Sequence, residues 1–281
     1  MQHFKDLSIR VFARWAIACG IIPAILHPAG NGQGHCIGTA EANLPPKSKA
    51  QMPEPTLLAL GERPTFSFEA YLPASLQTLR RPVARLIDGL LGLKELTSRY
   101  HGLPPAENVA DFVRMALNEL NIRTEFDPEQ LARIPRSGPC VIVANHPHGG
   151  PDGLLLMDLL LRVRPDVRFV ANHFLAGFME LRSLLLQVDP FGGGRAARYN
   201  VGAVRAARRW LDQGGLLVMF PGGEVSSLKW STRRVMDPEW TPGVARLLRK
   251  TAAPALPIYI EGRNSLLFQV GGLLNPRLRT A

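Results

Sequence analysis

The sequence predicts an α/β fold: a mainly parallel central sheet flanked by helices, with a helical segment on its N-terminal side. Three observations carry this. From residue 140 onward, short apolar runs alternate with longer stretches of helical periodicity. The short runs are apolar at nearly every position, as strands buried on both faces are. The polar, chemistry-bearing residues gather just after those runs, following Asn145, Phe220 and Ile260. In a parallel sheet that is the edge where ligands bind.

The elements are taken in chain order. Lys5, Arg10 and Arg14 precede the apolar run "WAIACGIIPAIL" (15–26). Basic then apolar is the pattern of an export signal, with "GTA" (38–40) as a cleavage site; a weak membrane anchor or an extension fits the same residues. The run is short for a bilayer span, and Pro23 interrupts it. Residues 29–56, rich in Gly, Pro, Ser and Lys, read as a linker. The expected division is an N-terminal signal-like or anchor segment with its linker over 1–56 and one domain over 57–281. Within that domain, 57–138 is the helical part and 139–270 the α/β part.

Apolar residues recur at helical spacing over 75–100 (Leu79, Val83, Leu86, Ile87, Leu90, Leu91) and over 106–122 (Val109, Phe112, Val113, Met115, Ala116, Leu120). Such helices either pack on the sheet or lie on a membrane with their arginines at the rim. Strands are expected at 140–145, 167–172, 215–220 and 255–262. Helices are expected at 153–163, 174–188 and 200–214, the last stopped by glycine.

The chain has 281 residues, 46% of them hydrophobic, enough for one sizeable core, and a formal charge of +10. That charge favours acidic partners. No basic helix with interleaved aromatics, zinc finger or RNA-binding signature is visible, so nucleic acid ranks below an anionic membrane surface or an acidic carrier. Cys19, Cys36 and Cys140 form no metal or disulfide pattern, and Cys140 opens an apolar strand as a small core residue.

The most informative stretch is "VIVANHPHGGPDGLLL" (141–156). His146 follows a strand end, and imidazole takes up a proton near neutral pH. A working base needs a partner on its other nitrogen, and Asp152 is the nearest carboxylate. Gly149 and Gly150 allow a tight loop, and their N–H groups can receive an oxyanion. His148 is an alternative base, and a helix N-cap at Asp152 beside a surface histidine is the structural alternative. "HPH" lacks the further close ligands of a metal site, so no metal is expected. "FVANHFL" (169–175) repeats the motif's first half without glycines or acid, and His173 is expected to be structural.

Three blocks in order, "NHPHGGPDG", "FPGGEVSS" (220–227) and "ALPIYIEGRNS" (255–265), resemble the glycerolipid (lysophospholipid) acyltransferase family. They are most similar to its bacterial branch related to ornithine-lipid and other aminolipid O-acyltransferases. The resemblance covers roughly residues 60–270. The family pairs a histidine base with an aspartate in H-x-x-x-x-D. Here Pro151 stands at that spacing and Asp152 one residue later, so the roles carry over to His146 and Asp152 with a longer loop. The family's acceptor-binding F-P-E-G-T-R-S block reads Phe220 to Ser226. Gly222 replaces its glutamate and Val225 its arginine, which weakens the case for a phosphate acceptor, since a guanidinium fork clamps phosphate. By resemblance, Gly223, Glu224 and Ser226, with Arg195 or Arg198, bind the acceptor, and Arg263 is a further basic candidate.

The resemblance implies acyl transfer from an acyl thioester, carried by acyl carrier protein or CoA, to a hydroxyl of a lysophospholipid or lyso-aminolipid, with no other cofactor. Because acyl thioesters are made in the cytoplasm, a peripheral protein on the cytoplasmic face of the membrane is expected, with the N-terminus as an anchor or extension. A hydrolase using the same pair on water, and a non-catalytic lipid-binding homologue, are the competing readings.

Overall fold

The computed structural model describes residues 7–13, 63–67, 69, 78–90, 92–189, 193–229 and 232–264. Residues 15–26 and the linker 29–56 lie outside them.

Nine strands are described: β1 (Leu7–Ala13), β2 (Ile122–Phe126), β3 (Cys140–Ala144), β4 (Val167–Asn172), β5 (Leu185–Val188), β6 (Leu216–Met219), β7 (Ser227–Lys229), β8 (Arg234–Met236) and β9 (Ala255–Glu261). Seven form one sheet in the order β2-β1-β9-β3-β6-β4-β5, and β7 and β8 make a separate hairpin. Strands β9, β3, β6, β4 and β5 run parallel. β1, from a stretch the sequence reading left in the N-terminal segment, joins β9 in parallel and pairs with β2 antiparallel.

The helices are α1 (Arg80–Leu90), α2 (Leu93–Gly102), α3 (Val109–Glu119), the single turn α4 (Pro128–Leu131), α5 (Gly150–Val163), α6 (Gly193–Asp212) and α7 (Pro242–Thr251). They cover both faces of the sheet, and the strands show why. Side chains alternate between faces. Cys140, Ile142 and Ala144 of β3, with Leu216 and Val218 of β6, pack toward Phe112, Val113, Leu156 and Leu160 of α3 and α5. Val141, Val143 and Leu217 point the other way, onto Ala207 and Leu211 of α6 and Val244 and Leu247 of α7. β3 is buried at every position. Burial pushes the Cys140 thiol up to about 11, so it is an inert core residue.

Two expected helices are corrected. The described part of the stretch 75–100 holds two helices, α1 and α2, and Gly92 before α2 sits at φ 67, the left-handed conformation that breaks a helix at low cost to glycine. The stretch 174–188 is two 3-10 turns, His173–Gly177 and Met179–Leu184, followed by β5. Gly177 lies so close to Phe66 that a Cβ there would sit 2.5 Å from the ring, and the apolar "LLQV" finds a strand partner in β4.

An aromatic cluster of Phe66, Tyr100, Phe174 and Phe178 joins the helical part to the sheet. Beneath it the Tyr100 hydroxyl donates to Glu180 (2.6 Å), which also accepts from Arg63 Nε (2.9 Å). Burial and then the bond to Glu180 push the Tyr100 phenol well above its ordinary value. On the far side, buried Arg164 donates to the carbonyls of Pro135, Gly138 and Gly214 and pairs with Asp166, tying three loops together.

Candidate active site

β3 and β6 are neighbours in parallel register, Val143 opposite Met219. His146, just past the end of β3, and Phe220, just past the end of β6, therefore emerge at the same edge. Their rings stack at 4.0 Å and 21°. Asn145 extends the β3–β9 pairing with its side chain: Nδ2 donates to the Ile260 carbonyl (2.8 Å), and Oδ1 accepts from the Ile260 amide (2.7 Å). The strand end that carries His146 is thus anchored from both sides.

After His146 the chain turns through Pro147 and His148 into α5. Gly149 is the N-cap, at φ 77, and Asp152 lies in the first turn. A carboxylate there gains from the helix dipole. Asp152 is 0% exposed and accepts four hydrogen bonds. Its Oδ2 takes His146 Nδ1 (2.9 Å), the His148 amide (2.8 Å) and the Gly149 amide (3.1 Å). Its Oδ1 takes His148 Nδ1 (3.0 Å). Burial works to raise the Asp152 pKa; the hydrogen bonds from His146 and His148, and their charge, outweigh it and hold the carboxyl below its ordinary range.

A carboxylate can only accept, so both imidazoles carry a proton on Nδ1. The neutral His146 ring then has a bare Nε2, on a side chain that is 19% exposed. The His148 side chain is only 8% exposed, and its Nε2 faces the backbone of Gly262: a Cβ on that residue would sit 2.5 Å away. Of the two histidines, His146 is the more open to an incoming molecule.

The other expected residues fall as follows. The Gly149 amide is already held by Asp152. Gly150 is exposed and begins α5, where an amide has no intrahelical acceptor. Gly223 closes a turn at φ 69, its amide donating to the Phe220 carbonyl (3.0 Å). Glu224 is half-buried and Val225 buried. Ser226 is buried, its amide donating to the His146 carbonyl (2.8 Å) and its hydroxyl to Asp237; these bonds join two loops and leave it little access to a ligand. Arg198 is exposed on α6, the Arg195 side chain lies outside the described residues, and Arg263 is exposed. His173 opens a 3-10 turn after β4.

Sequence reasoning missed Asp237. Its Oδ1 accepts from the His146 amide (3.2 Å) and from Ser226, and its Oδ2 from Trp240 Nε1 (3.2 Å). The "MDPEW" stretch, an acid and an aromatic in a loop, was the only signal available. It did not say which way the chain returns from the β7–β8 hairpin.

A histidine on a buried aspartate, stacked against the aromatic of a second loop, fits the acyltransferase resemblance, and residues 60–277 match a protein family described as Acyltransferase. The chain belongs to this family. Curated relatives include a lyso-glycine lipid O-acyltransferase of Phocaeicola vulgatus, 28% identical over 159 residues, which are 56% of this chain and 54% of that protein. A lyso-glycine lipid O-acyltransferase of Bacteroides thetaiotaomicron is 27% identical over 159 residues, 56% of this chain and 55% of that protein. The chain spans about half the length of these relatives.

Proposed function

We propose that this member of the acyltransferase family moves an acyl chain from an acyl thioester to the hydroxyl of a lyso-aminolipid. The observation that carries the reading is the buried Asp152 carboxylate on His146 Nδ1 (2.9 Å), which leaves Nε2 as the basic nitrogen. The acceptor hydroxyl gives its proton to Nε2 as its oxygen attacks the thioester carbonyl. Asp152 holds the ring and stabilises the imidazolium. The oxyanion lies against the first turn of α5, with Gly150 as amide donor. The intermediate collapses, the carbon–sulfur bond breaks, and the imidazolium returns its proton to the thiolate. No serine or cysteine intermediate is required.

The acceptor class rests on two supports. The relatives are named for lyso-glycine lipid. This chain also has Val225, buried, where a phosphate-binding arginine stands in the resembled block. Arg195 and Arg198, at the start of α6, and Glu224 are the residues proposed to meet the acceptor headgroup.

Charge supports an acidic donor, acyl carrier protein or CoA. On α6 and α7 the exposed charges are Arg198, Arg205, Arg208, Arg209, Arg246, Arg249 and Lys250 against one acid, Asp212. Internal pairing is commoner on the helices of the other face, Arg99 with Glu95, Arg114 with Asp111 and Arg162 with Asp158, while on α6 Arg208 pairs with Asp212 (3.6 Å). Peripheral attachment to an anionic, cytoplasmic-face membrane surface is supported by α1 and the residue before it. Leu79 is 60% and Leu86 65% exposed, beside exposed Arg81 and Arg85. Among the described residues no helix is long and apolar enough to cross a membrane.

The test is mass spectrometry of lipids from cells expressing the wild type or His146→Ala. A lyso-aminolipid that gains an ester-linked acyl chain only with the wild type supports the proposal. Equal lipid profiles alongside thioester hydrolysis by the purified wild type would replace transfer with hydrolysis.

A further inference from the structure

We propose that His148 is a positioning residue for the His146–Asp152 pair, gripping both carboxylate oxygens so that Oδ2 stays aimed at His146. This rests on the proposed base role of His146.

His148 is buried, and it meets Asp152 twice. Its backbone amide donates to Oδ2 (2.8 Å), and its ring Nδ1 donates to Oδ1 (3.0 Å). Without the ring bond every remaining donor lies on Oδ2. Three donors would then crowd one oxygen while the buried Oδ1 lost its hydrogen bond, and the carboxylate could tilt about its last bond, a broad torsion, to recover one. A turned carboxylate leaves His146 Nδ1 badly aligned, and the hydrogen bond weakens steeply with angle. The ring of His148 removes that freedom. Its own place is secured by Gly262 at the end of β9, where φ is 122 and any Cβ would meet Nε2 at 2.5 Å. One imidazole thus relates the loop after β3, the start of α5 and the end of β9.

The experiment compares full-length wild type, His148→Phe, His148→Asn and His146→Ala. Downfield proton NMR of hydrogen-bonded ring N–H groups, with the His146 Nδ1–H resonance assigned by its absence from His146→Ala, needs no substrate. We expect that resonance to broaden and move upfield in His148→Phe, and to return toward wild type in His148→Asn, whose amide can donate to Oδ1. In the transfer assay, kcat should fall about tenfold in His148→Phe with KM within about twofold, and recover in part in His148→Asn. A purely structural role would lower Tm and leave the His146 ring N–H resonance unmoved. An unchanged His146 Nδ1–H resonance in His148→Phe overturns the proposal. So do both His148 variants being as inactive as His146→Ala, which would make His148 the base. Full activity in His146→Ala would instead overturn the base reading, whatever the NMR shows.

Discussion

Replacing Asp152 with asparagine tests the site at its centre. The side chain keeps its shape and loses its charge. Oδ2 accepts three bonds, from His146 Nδ1, the His148 amide and the Gly149 amide. Each falls from a charge-assisted bond to a neutral one, a loss of about 1 kcal/mol apiece. The Asn NH2 would face the His148 Nδ1–H, which forces that ring into its other tautomer. Relief from burying a charge offsets part of this. The net cost should be about 2–3 kcal/mol, or a Tm lower by about 5–10 °C at this chain size. The cost also depends on pH. The folded pKa of Asp152 lies below its ordinary value, so its stabilisation is fully present above the unfolded carboxylate pKa of about 3.9. It is lost as pH falls through the depressed folded value. Urea unfolding from pH 8 to pH 3 should show a gap between wild type and Asp152→Asn that is constant down to about pH 5 and closes below about 4. Acyl transfer should drop about a thousandfold, because a neutral partner does not stabilise the imidazolium. A variant within about 0.5 kcal/mol of wild type at neutral pH, with transfer intact, would refute the reasoning.

Further tests follow from the same geometry. His146→Ala should abolish transfer, and His173→Ala should change it less than about twofold; near-native circular dichroism in both would show that folding is not the cause, and equal losses would refute the base role proposed for His146. Phe220→Ala removes the ring stacked 4.0 Å from His146 and should lower kcat about tenfold in steady-state kinetics, with a modest effect on Tm. Glu180→Gln breaks the buried arrangement with Arg63 and Tyr100 and should cost about 3 kcal/mol in urea unfolding, with activity surviving in the fraction that remains folded.

The sheet was legible because its strands are buried on both faces. β3 and β6 are unbroken apolar runs of strand length, the pattern of strands covered on both faces. The His146–Asp152 pair was legible because both lie within one short loop and the first turn of a helix, where local spacing determines distance. What was not legible depends on distant partners. β5 reads as part of a helix until β4 is there to pair with it. β1 and β2 depend on one another and on β9. Leu79 and Leu86 fit a helical core pattern but face outward, because periodicity shows a stripe and not what covers it. Asp237 reaches His146 across 91 residues, and His148 shows as an isolated histidine until its second contact with Asp152 is seen.

The peptide group on either side of His146 is held by the loop that follows β6 and its hairpin: the Ser226 amide on the carbonyl, and Asp237 on the amide. The two segments therefore behave as a single cassette. Transplanting residues 141–156 alone into a related scaffold would deliver the right side chains on an unsupported backbone. Moving 141–156 together with 220–240 would carry the supports as well. The same dependence sets where the chain can be lengthened. An insertion of one residue between Ser226 and Asp237 would displace the His146 backbone without replacing any side chain of the site.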